Sequence, residues 1–70
     1  MNVRMLKAQM ALAGMNAGDL CEKIGISRAS YYKKIAGVSE FTQGEIAAIS
    51  EALHMDRETI LNVFFAAEVS

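Results

Sequence analysis

The chain has 70 residues, 53% of them hydrophobic and 7% aromatic, with no Trp, no Pro and a formal net charge of −1. A domain usually takes roughly 100 to 200 residues, so one small domain over residues 1–70 is expected, with no room for a separate sensor or catalytic domain. The lone Cys excludes an internal disulfide, and one Cys with one His cannot supply the four ligands of a structural zinc, so no cofactor or metal is expected.

The apolar content is mostly Ala, Ile, Leu and Met, which suits helices better than a twisted sheet. Val3, Leu6, Met10 and Ala13 recur at helical spacing ahead of Gly14, and predict a first helix over about residues 2–13. Asn16 caps a second helix with Asp19 in its first turn, and Ala17, Leu20, Cys21 and Ile24 give that helix one apolar face, ended by Gly25. Ser27 is a fresh cap for a third helix, Arg28 to Ala36, with Tyr31 and Ile35 facing inward and Gly37 closing it.

Thr42 and Glu45 stand at capping-box spacing and open a fourth helix to about Leu53, burying Ile46, Ile49 and Leu53. Asp56 caps a fifth, which carries one stripe of Ile60, Val63, Phe64 and Ala67 and a second of Leu61 and Phe65. Arg4 and Lys7 interrupt the N-terminal apolar run, so no secretory leader is expected there. No apolar stretch approaches the roughly 18 residues of a membrane span, and a cytoplasmic protein is expected.

The charges are lopsided. Residues 1–21 sum to +1, residues 22–37 to +3 through Lys23, Arg28, Lys33 and Lys34 against Glu22, and residues 38–70 to −5. A local basic field matters more to a polyanion than the total does, so the overall acidity does not exclude DNA.

Residues 16–37 hold the most specific pattern: a short helix, a tight turn at Gly25 and Ile26, then a second short helix. Cys21 is small where the two helices cross, Gly25 is free to take positive φ, Ile26 plugs the corner and Tyr31 anchors the second helix. The stretch MNAGDLCEKIGISRASYYKKIAG resembles the Cro and cI-repressor type of helix-turn-helix DNA-binding domain. The following EFTQGEIAAISEALHMDRETILNVFF is similar to short regulators carried by phages and prophages. The resemblance implies an all-α, five-helix, lambda-repressor-like fold whose third helix enters the major groove of operator DNA. It also implies a Cro-like repressor working as a homodimer on a two-fold site. The alternative is an antirepressor that binds a partner repressor through the same fold, favoured by the net acidity and apolar excess. In this chain Ala17 stands where the family usually has a Gln that touches the DNA backbone, and Lys34 stands where it usually has an apolar residue.

With Tyr31 and Ile35 inward, Arg28, Ala29, Tyr32 and Lys33 face out and are the candidate base readers. Arg28 can make a bidentate contact to guanine, Lys33 can reach a guanine or a phosphate, Ala29 can touch a thymine methyl, and Tyr32 brings a ring and a hydroxyl. Asn16, Lys23, Ser27, Lys34 and the backbone amide of Ala17 are candidate phosphate contacts, because helix starts favour anions. Leu61 and Phe65 are the candidate dimer or partner interface. A nucleophile needs an orienting base, and Cys21 and His54 stand far apart in sequence with no third member, so no enzyme is expected.

Overall fold

The structure is a computed structural model that describes residues 1–65. Five helices follow one another: α1 (Val3–Leu12), α2 (Ala17–Ile24), α3 (Arg28–Ile35), α4 (Gln43–Ala52) and α5 (Arg57–Ile60). The last continues as a wider π-type turn over Leu61–Phe65, and no strand occurs among the described residues. Ala67, expected on the fifth helix, lies outside the described residues.

Each helix starts where a short polar side chain can take up one of the amides that a first turn leaves without a partner. Asn16 and Thr42 do this reciprocally. The Asp19 amide donates to Asn16 Oδ1 at 2.8 Å while the Asn16 amide donates to Asp19 Oδ2 at 3.1 Å, and Thr42 and Glu45 repeat the exchange at 2.8 and 3.1 Å. Ser27 accepts from the Ser30 amide at 3.1 Å, and Asp56 from the Thr59 amide at 2.8 Å. The first helix has a cap as well: Asn2 Oδ1 accepts from the Met5 amide at 3.0 Å.

The stops are equally local. Gly25 takes φ +78 at the end of α2, a left-handed conformation that costs glycine nothing. The chain leaves α4 through His54 at φ +53, the one non-glycine residue with positive φ among those described.

These ends let the apolar faces converge. Leu6 and Met10 of α1, Leu20 and Cys21 of α2, Tyr31 of α3, and Ile49, Ala52 and Leu53 of α4 and its end are buried together with Val63. Phe41, in the connection before α4, packs on this core. Its ring meets Tyr31 edge-on at 6.2 Å and Phe64 at 5.9 Å. Tyr31 is sealed in, and its hydroxyl donates to Met10 Sδ at 3.4 Å. Among the described residues Ser50 is the buried polar one, satisfied by donating to the Ile46 carbonyl at 2.7 Å.

The fifth helix departs from the expected regular winding. It keeps α-helical geometry for only four residues before the π-type turn. That turn carries Val63 to full burial, sets Phe64 against Phe41, and leaves Leu61 and Phe65 outside at 49% and 58% exposure. The Val63 carbonyl accepts from the Asn2 amide at 2.7 Å, which joins the start of α1 to the end of the described chain.

Candidate nucleic-acid interface

Helices α2 and α3 pack against each other across the two-residue corner of Gly25 and Ile26. The Gly25 and Ile26 amides both donate to the Cys21 carbonyl, at 2.8 and 3.1 Å, so the corner is closed by backbone bonds alone. Burial of Leu20 and Cys21 on one side and Tyr31 on the other fixes how the two helices meet. Cys21 is part of that joint rather than a reactive group. Burial pushes its thiol up, against a smaller downward pull from the Arg28 guanidinium, and a neutral thiol is a poor nucleophile.

With Tyr31 held inward, the opposite side of α3 faces solvent. Ala29 and Lys33 are exposed there, Tyr32 is exposed beside them, and Arg28, one turn before Tyr31 at the helix start, is exposed as well. Arg28 and Tyr32 stand one turn apart, as do Ala29 and Lys33, so the four share a surface. Tyr32 leans its ring on the edge of Tyr31 at 5.5 Å and 72°, which steadies it without covering it. The capped starts of α2 and α3 flank this surface, with Asn16 and Ser27 both exposed. Ala17 and Tyr32 line one cleft of about 330 Å³ with Lys7 and Met10. Arg28 lays its head over the first turn of α2: a Cβ on Gly18 would strike its Nη2 and stand 3.1 Å from Cζ and 3.2 Å from Nε.

Two of the candidate phosphate residues stand apart from this group. Lys23 is exposed on the last turn of α2 and lines a shallow groove with Ala48, Glu51, Ala52 and His54. Lys34 is turned back into the domain. Its side chain is 10% exposed, and Nζ lies 3.1 Å from Glu45 Oε1, 3.2 Å from the Glu40 carbonyl and 5.8 Å from the centre of the Phe41 ring. A cation already met by a carboxylate, a carbonyl and a ring face has little left to offer a phosphate. The expected inward neighbour, Ile35, is half-buried beside it. Glu45 is held below the usual carboxylate range, first by the backbone amide of Thr42 and then by Lys34.

Sequence reasoning missed three parts of this arrangement: the ring of Phe41, the Lys34–Glu45 pair, and the room over Gly18 that Arg28 occupies. Phe41 sits in a loop with no helical period to mark it, and the pair joins residues eleven apart on different helices. Only Gly18 left a local trace, as a glycine in the first turn of a helix where nothing in the backbone requires one.

Leu61 and Phe65 lie on the π-type turn, away from the α3 surface in sequence and both exposed. Among the described residues, no helix is long and apolar enough to cross a membrane, and no cluster of His, Cys, Asp or Glu could hold a metal ion.

The chain matches the family model of the Cro/C1-type HTH DNA-binding domain over residues 5–65. Comparison with curated proteins and with solved structures returned no match. The matched span takes in all five helices except the first two residues of α1, with the corner at Gly25 and the exposed face of α3 inside it. The chain belongs to the Cro/C1-type HTH DNA-binding domain family, which supports DNA as its partner.

Proposed function

We propose that the chain is a sequence-specific transcriptional regulator, a Cro-like repressor of phage or prophage type that occludes a promoter by occupying operator DNA as a homodimer. The observation that carries this reading is the exposed α3 surface of Arg28, Ala29, Tyr32 and Lys33, set between the capped starts of α2 and α3. Arg28 and Lys33 read base edges in the major groove, Ala29 and Tyr32 fill against thymine methyls, and Asn16, Ser27 and the Ala17 amide hold the flanking phosphates. Lys23 is the outer phosphate contact. Leu61 and Phe65 form the seam between two copies, because two half-sites one helical turn apart need a two-fold protein. Their exposure, with the −5 charge of residues 38–70, also favours a second reading in which a partner repressor covers them.

The deciding experiment selects duplexes from a randomised pool with the full chain, then compares the selected duplex with a scrambled one at several salt concentrations. Enrichment of a two-fold sequence is expected. An unenriched pool, together with capture of the regulator encoded next to this chain, selects the antirepressor reading.

A further inference from the structure

We infer that Gly18 is a specificity-positioning residue, whose missing side chain lets the Arg28 guanidinium settle across the first turn of α2 and wait there for a base edge. The inference rests on the base-reading role proposed for Arg28. The three heavy atoms nearest to a Cβ at Gly18, Nη2, Cζ and Nε, all belong to the planar head of Arg28. Gly18 itself is not called for by the backbone. It is helical without positive φ, in a position where alanine makes the better helix. What the glycine provides is room.

Gly44 supplies the internal comparison. It occupies the same second position of α4 that Gly18 occupies in α2, and both helices open with a capping box. A Cβ on Gly44 would meet only Thr42 Oγ1, at an ordinary 3.9 Å. Two glycines at the same helix position therefore differ in the arginine that lies on the first and leaves it half-buried, while the second is exposed.

That difference has a chemical use. Arginine is rotamer-rich, and fixing it on a ligand costs entropy unless its head is already placed. Arg28 has no ion-pair partner among the described residues, so the bed at Gly18 is what restrains it. From the first turn of α3 a placed guanidinium is oriented for the two acceptors of a guanine edge.

The test uses the full chain with the duplex selected from a randomised pool and its scrambled counterpart. Gly18→Ala and Gly44→Ala should each leave the melting temperature unchanged or raised, because the added methyl at residue 18 displaces only the exposed end of the Arg28 side chain and no core group. Gly18→Ala should lower the preference for the selected duplex by about tenfold, in the range of one lost bidentate contact, while Gly44→Ala keeps it. Adding Arg28→Ala to Gly18→Ala should remove nothing more. A preference kept by Gly18→Ala but lost by Arg28→Ala overturns the inference and leaves the DNA reading intact, whereas a wild-type chain with no preference overturns both. A measurement without DNA guards against a variant that folds poorly. Nuclear Overhauser contacts between the Gly18 α-protons and the Arg28 side-chain N–H protons are expected in the free wild-type chain, and their absence overturns the inference.

Discussion

Lys34 Nζ lies 3.1 Å from Glu45 Oε1, so the last turn of α3 is bound to the capping box that opens α4. The same carboxylate accepts the Thr42 amide at 2.8 Å, and the same ammonium reaches the Glu40 carbonyl. One side-chain pair thus ties together the two ends of the loop of residues 36–42. Lys34→Ala should cost about 1 kcal/mol of stability, the range of a well-made, partly shielded ion pair. Urea unfolding measures this, and a double cycle with Glu45→Gln should show most of the loss to be shared. The slope of DNA affinity against salt should stay as in the wild type. A slope reduced by about 1 would instead return Lys34 to the phosphate contacts.

Acid should weaken the domain through the same carboxylate. Glu45 titrates below its ordinary range in the folded chain because the Thr42 amide and then Lys34 favour its charged form. A group depressed on folding contributes stability that is complete above its unfolded value, about 4.3 for glutamate, and that fades as pH falls through the folded one. Asp56 adds in the same direction through the side chain and amide of Thr59. Melting temperature should therefore be flat near neutrality and drop at pH below about 4.3, with a shallower drop in Glu45→Gln. An identical acid limb in the variant would show that other carboxylates govern it.

On the DNA side, Arg28→Ala should lose about 1 to 3 kcal/mol on the preferred duplex and relax the choice at one base position. Lys33→Ala should weaken binding as well, and any part of the loss seen equally on scrambled duplex measures its phosphate share. Titrations at several salt concentrations separate these outcomes, since each phosphate contact contributes about −0.9 to the slope.

His54 holds a left-handed backbone at φ +53, which a side chain tolerates at a cost and glycine does not feel. His54→Gly should raise stability by up to about 1 kcal/mol, read as a higher melting temperature. The preference for the selected duplex over a scrambled one should not change, because His54 lies in the groove with Lys23, Glu51 and Ala52 rather than among the base readers of α3.

Phe65→Ser is expected to shift sedimentation toward the monomer while leaving the melting temperature of the dilute chain in place, given that the ring is 58% exposed. Lost folding with unchanged association would return Phe65 to the core.

Caps and corners were legible in the sequence because their chemistry is short-range. Asn16 with Asp19, Ser27, Thr42 with Glu45, and Asp56 each announce a helix start within four residues, and each is found capping one. The outward face of α3 followed from the inward pull of Tyr31. The turn of Lys34 back into the domain was not legible for a physical reason: its spacing places it among basic neighbours, but its destination depends on Glu45 and Phe41, which local pattern cannot bring near. Phe41 and the π-type turn are likewise settled by packing, the first between Tyr31 and Phe64, the second by the need to bury Val63.

The two tyrosines stand side by side with rings 5.5 Å apart, one sealed in the core and the other open on the reading surface, and the chain contains no tryptophan. Its ultraviolet emission therefore has two sources with separate loyalties. Tyr32→Phe leaves a chain whose fluorescence follows Tyr31 and so reports unfolding alone. In Tyr31→Phe the remaining light comes from the surface ring, and quenching of it follows whatever docks on α3. The protein carries its own pair of optical reporters, one for integrity and one for occupancy, with no label attached.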